Sequence, residues 1–276
     1  MATLAEKIRW VLTDRERRRS TLEWYGARAL FRRPRLKLPF GGTISYFKTY
    51  GQYWGCRSQI PDRGCCALLE RRIGIGSTVI DVGAYMGVFT VMIGKLAGKA
   101  VVYSFEPTSI TYEQLVLNIR ENHLENVKMI NAAVCCRQGR MKFRINNSPM
   151  TNKLEMNDFA EGPNFIEVDT TTIDSFCKSQ RIERLDFAKI DVEGAEPQVL
   201  LGARQMMGER CIECILIEIC PDNLASLNSS PEELFSIADS YGYDFFALTN
   251  DGTPGRRLTA RDLRQITLDN VLLMPR

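Results

Sequence analysis

Histidine is almost absent from this sequence, which contains only His123 among its 276 residues. A metal centre built from several histidines is therefore excluded, and a Ser-His-Asp or Cys-His enzyme would have to use His123 itself. That residue lies in the polar stretch 121–126, where a histidine is usually just solvated. The sequence thus argues against two broad classes of catalytic site.

Long apolar runs are also missing, and we expect no N-terminal leader. No run approaches the roughly 18 residues that a transmembrane helix needs, and no apolar core is followed by a cleavage site. The nine cysteines are odd in number and include two directly adjacent pairs, which does not suit a disulfide scaffold. Cys211 and Cys214 form one isolated C-x-x-C, too little for a structural zinc site. We expect reduced thiols and a cytoplasmic protein without a transmembrane segment.

Positive charge is concentrated at the N-terminus. Residues 1–37 carry a net charge of +7, and the remainder carries −4. A solvated helical face explains such an arm most simply, and contact with an anionic membrane or with nucleic acid stays open. No zinc-finger spacing or aromatic RNA-binding motif favours nucleic acid, so we do not expect a nucleic-acid partner. A homodimer formed through this extension is a further alternative.

The pattern of apolar residues divides the chain into two predicted parts. Residues 1–58 form a basic helical extension with an aromatic-rich lead-in, and residues 59–276 form the main domain. From Thr78 onward, buried strands alternate with helices, among them a strand at 78–82, a helix at about 88–96 and a strand near 243–248. This alternation predicts a doubly wound parallel α/β sheet with right-handed crossovers. A helix is predicted over 195–207, and polar-apolar alternation within 140–168 predicts an inserted antiparallel hairpin.

A glycine-rich turn follows the first buried strand. The segment Val79–Thr90 runs from that strand through Asp81, Gly83, Ala84 and Gly87 into a predicted helix. Gly83 allows a tight turn and a close ligand, and Gly87 lets the helix start near the sheet. The helix N-terminus offers unpaired N–H groups. By itself such a turn also connects strands for purely structural reasons.

An acid ends the next predicted strand. Glu106 directly precedes Pro107 and lies about 20 residues after Gly83. In doubly wound folds, an acid at this spacing accepts hydrogen bonds from the ribose hydroxyls of a bound nucleotide. NAD and S-adenosylmethionine both contain such a ribose. Ala84 would crowd the pyrophosphate of NAD, and the negative charge of Asp81 suits a sulfonium cation better. These residues therefore favour S-adenosylmethionine as the cofactor.

A run of acids follows a later apolar strand. The block Lys-Ile-Asp-Val-Glu-Gly-Ala-Glu at 189–196 places three carboxylates within six residues, where crowding is costly. Helix capping accounts for some of them, or else the block binds a hydroxyl, an amine or a metal ion. We expect Asp191 to orient the nucleophile or ligate a metal, with Glu193 or Glu196 as the base. Lys189 is expected on the same side of the strand as Asp191, where it steadies the acids or binds the substrate oxygen.

Together these motifs resemble the FkbM family of S-adenosylmethionine-dependent methyltransferases. The resemblance rests on Asp-Val-Gly-Ala-x-x-Gly at 81–87, Phe-Glu-Pro at 105–107, Asn118, Thr-Ile-Asp at 172–174, and the acidic block. It implies a class I, Rossmann-like methyltransferase fold, with a sheet of about seven strands whose last strand is antiparallel. It also implies O-methylation of sugars or polyketide-type small molecules.

The candidate site residues fall into three groups. The expected cofactor contacts are Asp81, Gly83, Ala84, Tyr85, Gly87, Glu106, Pro107, Asn131, Ala132 and Asp191. Tyr85 stands where the family often has Asn, and Asn131 and Ala132 are expected beside adenine. The catalytic candidates are Asp191, Glu193, Lys189 and Glu196. The acceptor-binding candidates are Glu218, Tyr50 and Trp54, with hydrophobic packing as the alternative for the two aromatic residues. Asp191 and Glu218 would hold a divalent metal if the reaction uses one.

The resulting hypothesis is an in-line transfer of the methyl group of S-adenosylmethionine to a hydroxyl oxygen of a small molecule. The acceptor is expected to be free or carrier-bound, in natural-product biosynthesis. Two alternatives stay open at this point. One is an NAD-dependent oxidoreductase of similar architecture, and the other is a catalytically silent cofactor-binding module.

Overall fold

The computed structural model describes residues 34–96, 100–146, 151–156 and 161–276. The predicted basic helical arm lies outside these residues apart from its last few positions. The strands are β1 (Leu36–Lys37), β2 (Thr43–Ile44), β3 (Thr78–Val82), β4 (Val101–Phe105), β5 (Val127–Ile130), β6 (Ala133–Val134), β7 (Gly139–Arg144), β8 (Lys153–Leu154), β9 (Phe165–Thr171), β10 (Phe187–Ile190), β11 (Ile215–Ile219), β12 (Tyr243–Leu248), β13 (Pro254–Leu258) and β14 (Asp269–Pro275). The helices are α1 (Tyr50–Ser58), α2 (Arg63–Arg72), α3 (Val88–Leu96), α4 (Ser109–Glu121), α5 (Ile173–Gln180), α6 (Glu196–Leu201), α7 (Arg204–Gly208), α8 (Pro221–Ser226), α9 (Pro231–Ser240) and α10 (Ala260–Gln265).

Eight strands form the main sheet, in the order β13-β12-β14-β11-β10-β3-β4-β5. The five strands β11, β10, β3, β4 and β5 run parallel to one another, whereas β14 is antiparallel to both β11 and β12. The predicted doubly wound α/β fold with an antiparallel last strand is therefore confirmed. The order reverses at β3, which has β4 on one side and β10 on the other. Ligands of such sheets bind beyond the carboxyl ends of the strands at this reversal point.

The sheet has one strand more than the sequence predicts. The extra strand is β13, which pairs antiparallel with β12 at the edge of the sheet. Its sequence is Pro-Gly-Arg-Arg-Leu, and only Leu258 is buried. An edge strand with a single buried side chain shows no clear two-residue alternation, so its sequence resembles a loop.

The predicted helix over 195–207 is two helices, α6 and α7. Gly202 ends α6, and its backbone lies so close to the carbonyl oxygen of Cys135 that a Cβ atom would overlap it. The carboxylate of Asp174 then accepts hydrogen bonds from the N–H groups of Gln205 (2.9 Å) and Met206 (3.0 Å) at the start of α7. A carboxylate from a distant part of the chain thus starts the second helix, which local sequence does not reveal.

Two hydrophobic clusters cover the faces of the main sheet. Neighbouring residues of β3 point to opposite faces, so Val79 belongs to one cluster and Ile80 to the other. Leu36, Ile44 and Tyr53 from the lead-in are buried in the same cluster as Val79. The described part of the lead-in therefore packs on the core, and the proposed boundary at residue 58 remains a prediction.

The predicted inserted hairpin is part of a second, four-stranded sheet. Its strand order is β6-β9-β7-β8, and β7 pairs antiparallel with β9 over six residue pairs. The hydrophobic cluster of this sheet contains Met141, Phe143, Leu154 and Val168, together with Ala195 from the acidic block at 189–196. This small sheet therefore lies against the carboxyl end of β10.

All nine cysteines are free thiols. Among the residues in the described ranges, no helix has the length and apolar character of a membrane span.

Candidate active site

Two adjoining clefts lie at the carboxyl ends of the central strands. The first cleft has about 630 Å³ of empty space, including its open mouth, and is bordered by Gly83, Glu106 and Ala132. The second cleft is wider, about 1510 Å³ on the same measure, and is bordered by Lys189, Glu218 and Asn270 among others. Gln59, Asp191 and Glu193 line both clefts. The acidic segment after β10 therefore marks the junction between them.

The glycine turn after β3 is fixed between two neighbouring strands. Gly83 has φ of +85°, and a Cβ atom at this position would overlap the carbonyl oxygen of Asp191. The N–H groups of Gly83 and Ala84 donate to the carbonyl oxygen of Phe105 at 3.1 and 2.9 Å. Only glycine satisfies both the backbone conformation and the close approach. The turn thereby places its backbone at the edge of the first cleft.

Glu106 is held by several donors but keeps capacity to accept more hydrogen bonds. Its Oε1 accepts from the N–H of Thr108 (3.0 Å) and from the hydroxyls of Thr108 and Thr111 (both 2.5 Å). Its Oε2 accepts one bond, from the N–H of Tyr85 at 3.0 Å. Burial raises the pKa of Glu106, and the threonine hydrogen bonds oppose that rise. Sequence reasoning missed both threonines, although they follow the Glu-Pro motif directly.

Tyr85 is buried and lines the first cleft. Its φ is 53°, an unusual value for a residue other than glycine, and its N–H donates to Glu106. The hydroxyl is buried without a hydrogen-bond partner among the described residues, and burial raises its pKa. Asn118 supports the same turn, since its Nδ2 donates to the Met86 carbonyl (2.9 Å) and its Oδ1 accepts from the Ser45 N–H (2.8 Å).

The other expected cofactor contacts have different positions. Pro107 and Ala132 line the first cleft. Ala84 and Gly87 shape the turn without lining either cleft that the described residues form. Asn131 is exposed, and its Nδ2 donates to the carbonyl oxygens of Glu106 (2.8 Å) and Pro107 (3.0 Å). Asn131 thus stabilises the strand end that carries Glu106.

Asp81 is fully buried on β3 and lines neither cleft. Its Oδ2 accepts from the Thr90 hydroxyl at 2.6 Å, and its Oδ1 has no hydrogen-bond partner among the described residues. Asp81 is the register partner of Lys189 on β10. Burial raises the pKa of Asp81, and the positive charge of Lys189 opposes this. The structure therefore places Asp81 beneath the site, where its charge acts on Lys189.

Lys189 and Asp191 form a buried ion pair at the end of β10. Lys189 Nζ lies 2.8 Å from Asp191 Oδ2, and the two side chains are 3% and 13% exposed. The ammonium also lies 4.7 Å from the ring centroid of Phe89, a cation–π contact. Burial lowers the pKa of Lys189, but the charges of Asp191 and Asp81 outweigh it and raise the pKa overall. Lys189 is therefore a cation beside Asp191, on the side of the strand that the two-residue period predicts.

The three glutamates around this pair differ in their surroundings. Glu193 accepts a hydrogen bond from Asn223 Nδ2 (2.7 Å), and burial together with the charge of Asp191 raises its pKa to about 8. Burial and Asp191 also raise the pKa of Glu218 on β11. Glu196 lines neither cleft, and its Oε1 accepts from the N–H groups of Val192 (3.0 Å) and Gly194 (3.3 Å). Glu196 thus fixes the turn after β10.

The residues predicted to hold a metal or to bind the acceptor differ in their positions relative to the clefts. In the part of the chain that the structure describes, no group of three or more His, Cys, Asp or Glu side chains is arranged to hold a metal. Tyr50 and Trp54 on α1 line neither cleft, and Tyr50 packs against the hydrophobic cluster that contains Val79. Gln59, just after α1, lines both clefts and was not predicted, because no motif marks it.

The fold and the position of the site are those of a class I, Rossmann-like methyltransferase. The model of the methyltransferase FkbM domain matches residues 81–245, and the chain belongs to this family. A curated relative, the 2-O-methyltransferase NoeI of Sinorhizobium fredii, is 25% identical over 147 residues. The match covers 47% of this chain and 58% of that relative, so the chain spans little more than half of its length.

Three solved structures with a similar fold are remote in sequence. A precorrin-6y C5,15-methyltransferase from Geobacter metallireducens has a TM-score of 0.41 and 8% identity, covering 77% of this chain and 86% of its own. An rRNA methylase from Streptococcus thermophilus has a TM-score of 0.42 and 12% identity, covering 76% and 93%. TYW2 from M. jannaschii in complex with AdoMet has a TM-score of 0.39 and 14% identity, covering 87% and 84%.

Proposed function

We propose that this protein transfers the methyl group of S-adenosylmethionine to a hydroxyl oxygen of a small molecule. The observation that carries the proposal is that two clefts, one with a ribose-type acid, meet at Asp191 and Glu193. Membership of the FkbM methyltransferase family supports methyl transfer as the reaction class. The name of the relative, a 2-O-methyltransferase, supports oxygen as the acceptor atom.

The first cleft fits S-adenosylmethionine in two respects. Glu106 Oε2 can accept a further hydrogen bond from a ribose hydroxyl, because it has a single protein donor among the described residues. Ala132 and Pro107 supply apolar surface for a base.

The ion pair at the end of β10 prepares the acceptor hydroxyl. S-adenosylmethionine, when bound, supplies an electrophilic methyl group on a sulfonium sulfur. Lys189 holds Asp191 by its Oδ2, and Oδ1 makes no hydrogen bond among the described residues. Asp191 is thus fixed in one orientation and free to accept a hydrogen bond from an incoming hydroxyl. Fixing the nucleophile in this way lowers the entropic part of the barrier.

Glu193 is the base that we assign to the hydroxyl proton. It lines both clefts, so it borders the place where acceptor and cofactor would meet. Its pKa of about 8 is close to neutral pH, where a carboxylate is a stronger base than an ordinary glutamate and is still partly ionised. Glu196, the other base candidate, is engaged with the backbone and has no path to either cleft.

The acceptor that we propose is a sugar or a polyketide-type hydroxyl compound, free or carrier-bound, in a cytoplasmic natural-product pathway. The domain boundary at residue 58 and a homodimer formed through the N-terminal extension belong to the same proposal. Both can be examined by limited proteolysis and by the mass of the protein in solution. A truncation that starts at residue 34 would separate the arm from the part of the lead-in that packs on the core.

The proposal is tested by isothermal titration calorimetry of the purified full chain with S-adenosylmethionine, S-adenosylhomocysteine and NAD, with and without Mg²⁺. We expect the first two ligands to bind in a 1:1 ratio and NAD to show no binding. A screen of sugars and polyketide alcohols for methylated products then tests the reaction. Binding of NAD alone would contradict the proposal. Binding of the first two ligands without turnover of any hydroxyl compound would favour a silent module.

A further inference from the structure

The second cleft is bordered largely by residues that the family match does not cover. One border is the segment 58–62, between α1 and α2, and another is the segment 268–270 at the start of β14. Both segments lie outside residues 81–245. Lys189, Asp191 and Glu218 are among the lining residues that come from the matched region. The reacting end of this cleft thus comes from the family motif, whereas much of its border lies outside the matched region.

Two side-chain amides in these borders have no hydrogen-bond partner among the described residues. Gln59 lies next to the C-terminus of α1 and lines both clefts. Asn270 lies on β14, in register with Glu218 of β11, and lines the second cleft. Both residues are half-buried. Each amide offers donors and an acceptor that a bound hydroxyl compound would satisfy.

The charge of the cleft restricts the kind of compound that fits. Among the described residues, five acidic side chains line it, and the single ammonium, Lys189, is already paired with Asp191. The lining acids are Asp62, Asp191, Glu193, Glu218 and Asp269. Because burial raises the pKa of Glu193 and of Glu218, the unpaired negative charge that an anionic compound would meet comes mainly from Asp62 and Asp269. Like charges in an interface suppress binding. Hydroxyl and ammonium groups, in contrast, donate hydrogen bonds to carboxylates.

We propose that the acceptor binds in the second cleft as a neutral or amine-bearing polyhydroxylated compound, positioned by Gln59 and Asn270 so that one hydroxyl reaches Asp191. This inference rests on the proposed function, because it takes the junction of the clefts as the place of methyl transfer. It adds that residues outside the family match select the acceptor. Gln59 and Asn270 act as positioning residues, with no part in the proton transfer itself.

The charge selectivity can be tested with sugars that share a ring and differ in the charge of one substituent. Ligand-observed NMR measures the binding of each compound to the full chain saturated with S-adenosylhomocysteine. The compounds are glucose, galactose and mannose, each with its 2-amino and 6-phosphate derivative. We expect neutral and amino forms of at least one series to bind, and its phosphate at least about tenfold more weakly. Equal or tighter binding of the phosphates overturns the inference. Failure of all nine compounds to bind to the loaded protein overturns it as well.

The positioning role can be tested with matched substitutions. Asn270→Leu and Gln59→Leu should each weaken binding of the sugar found above about tenfold, the effect of one hydrogen bond of about 1.4 kcal/mol. Asn250→Leu, at an exposed residue that lines neither cleft, is the control. Asn270→Leu should leave the affinity for S-adenosylhomocysteine unchanged. Sugar affinities that stay within twofold in both cleft variants would overturn the assignment.

A gain of function gives an independent check. Asp269 is exposed and lines the second cleft, so Asp269→Lys should fold and should strengthen binding of the 6-phosphate sugar. Glu125→Lys makes the same charge change before β5, at the opposite edge of the sheet, and should leave that affinity unchanged. An equal effect of both variants would indicate net charge alone and would contradict the proposed site. If the wild-type protein does not bind S-adenosylhomocysteine, the proposed function itself is rejected. If the cofactor product binds normally but sugars bind without selectivity, only the inference about the acceptor is rejected.

Discussion

Lys189 Nζ lies 2.8 Å from Asp191 Oδ2, at the point where the two clefts of this protein meet. The ammonium is almost fully buried and lies over the ring of Phe89. On the neighbouring strand β3, Asp81 is the register partner of Lys189. A buried cation of this kind is stable only because carboxylates compensate it. The pair therefore couples the stability of the sheet to the orientation of Asp191.

Removal of the cation should cost both stability and activity. Lys189→Met leaves Asp191 and Asp81 without their partner, and we expect the free energy of unfolding to fall by about 3–5 kcal/mol. The double variant Lys189→Met with Asp191→Asn should recover part of this loss but no methyl transfer. Urea denaturation of both proteins measures the effect. Lys128→Met, at an exposed lysine of β5, is the control and should change the free energy of unfolding by less than about 1 kcal/mol. An equal fall in the free energy of unfolding at both lysines would refute the coupling.

Substitution of the proposed ribose acceptor should weaken cofactor binding. Glu106→Gln keeps the size of the side chain but removes its charge, and hydrogen bonds to charged groups contribute about 1.5–3 kcal/mol. We therefore expect affinity for S-adenosylhomocysteine to fall by about one to two powers of ten, as measured by calorimetry. Glu113→Gln, at an exposed position of α4, is the matched control. An affinity that Glu106→Gln leaves intact would remove this residue from the site.

Two glycines with the same φ angle allow a controlled test of the turn. Gly83 and Gly76 both have φ of +85°, but a Cβ atom at Gly76 would meet nothing within 4 Å. Gly76→Ala should therefore cost only the conformational strain, about 1–2 kcal/mol. Gly83→Ala adds an overlap with the Asp191 carbonyl and should cost more, with loss of cofactor binding. Thermal unfolding and calorimetry compare the two variants, and equal costs would show that the close approach is unimportant.

The raised pKa of Glu193 predicts the direction of a pH effect on stability. Its pKa rises from 4.5 to about 8 on folding, mainly through burial. Between pH 4.5 and about 8 the folded state holds a proton that the unfolded state has released. The free energy of unfolding therefore falls as pH rises through this range, and the stabilisation present below pH 4.5 is lost by about pH 8. Glu193→Gln should remove this dependence and should gain stability relative to wild type between pH 5 and 9. Urea denaturation at both pH values tests this; parallel curves for the two proteins would contradict it.

The same residue predicts the pH profile of activity. If the ionised Glu193 accepts the hydroxyl proton, kcat/KM of the wild type should rise with a midpoint near pH 8. Glu193→Gln should lower kcat by about two powers of ten or more and should flatten the profile. Glu209→Gln, at an exposed glutamate, should retain the wild-type profile. An unchanged profile in Glu193→Gln would transfer the role of base to another group.

Several features of the fold could be predicted because they depend on local sequence. The strand at 78–82, the helix at 88–96 and the strand at 243–248 have the predicted bounds. Each has strong apolar periodicity or a continuous buried run, which is independent of distant contacts. The two helices within 195–207 and the edge strand β13 could not be predicted, because Asp174 and β12 define them from elsewhere in the chain.

The sequence by itself determined the motifs of this protein: a glycine turn, an acid at the end of the next strand and an acidic strand end, in the order of a doubly wound fold. Those motifs are local, so residue type and spacing are sufficient to detect them. Only the tertiary structure decided which side chains reach a cleft. Asp81 and Glu196 are buried beneath the site, whereas Gln59 reaches both clefts from outside the motifs. The reason is that exposure depends on how distant segments pack, a property that no local pattern contains.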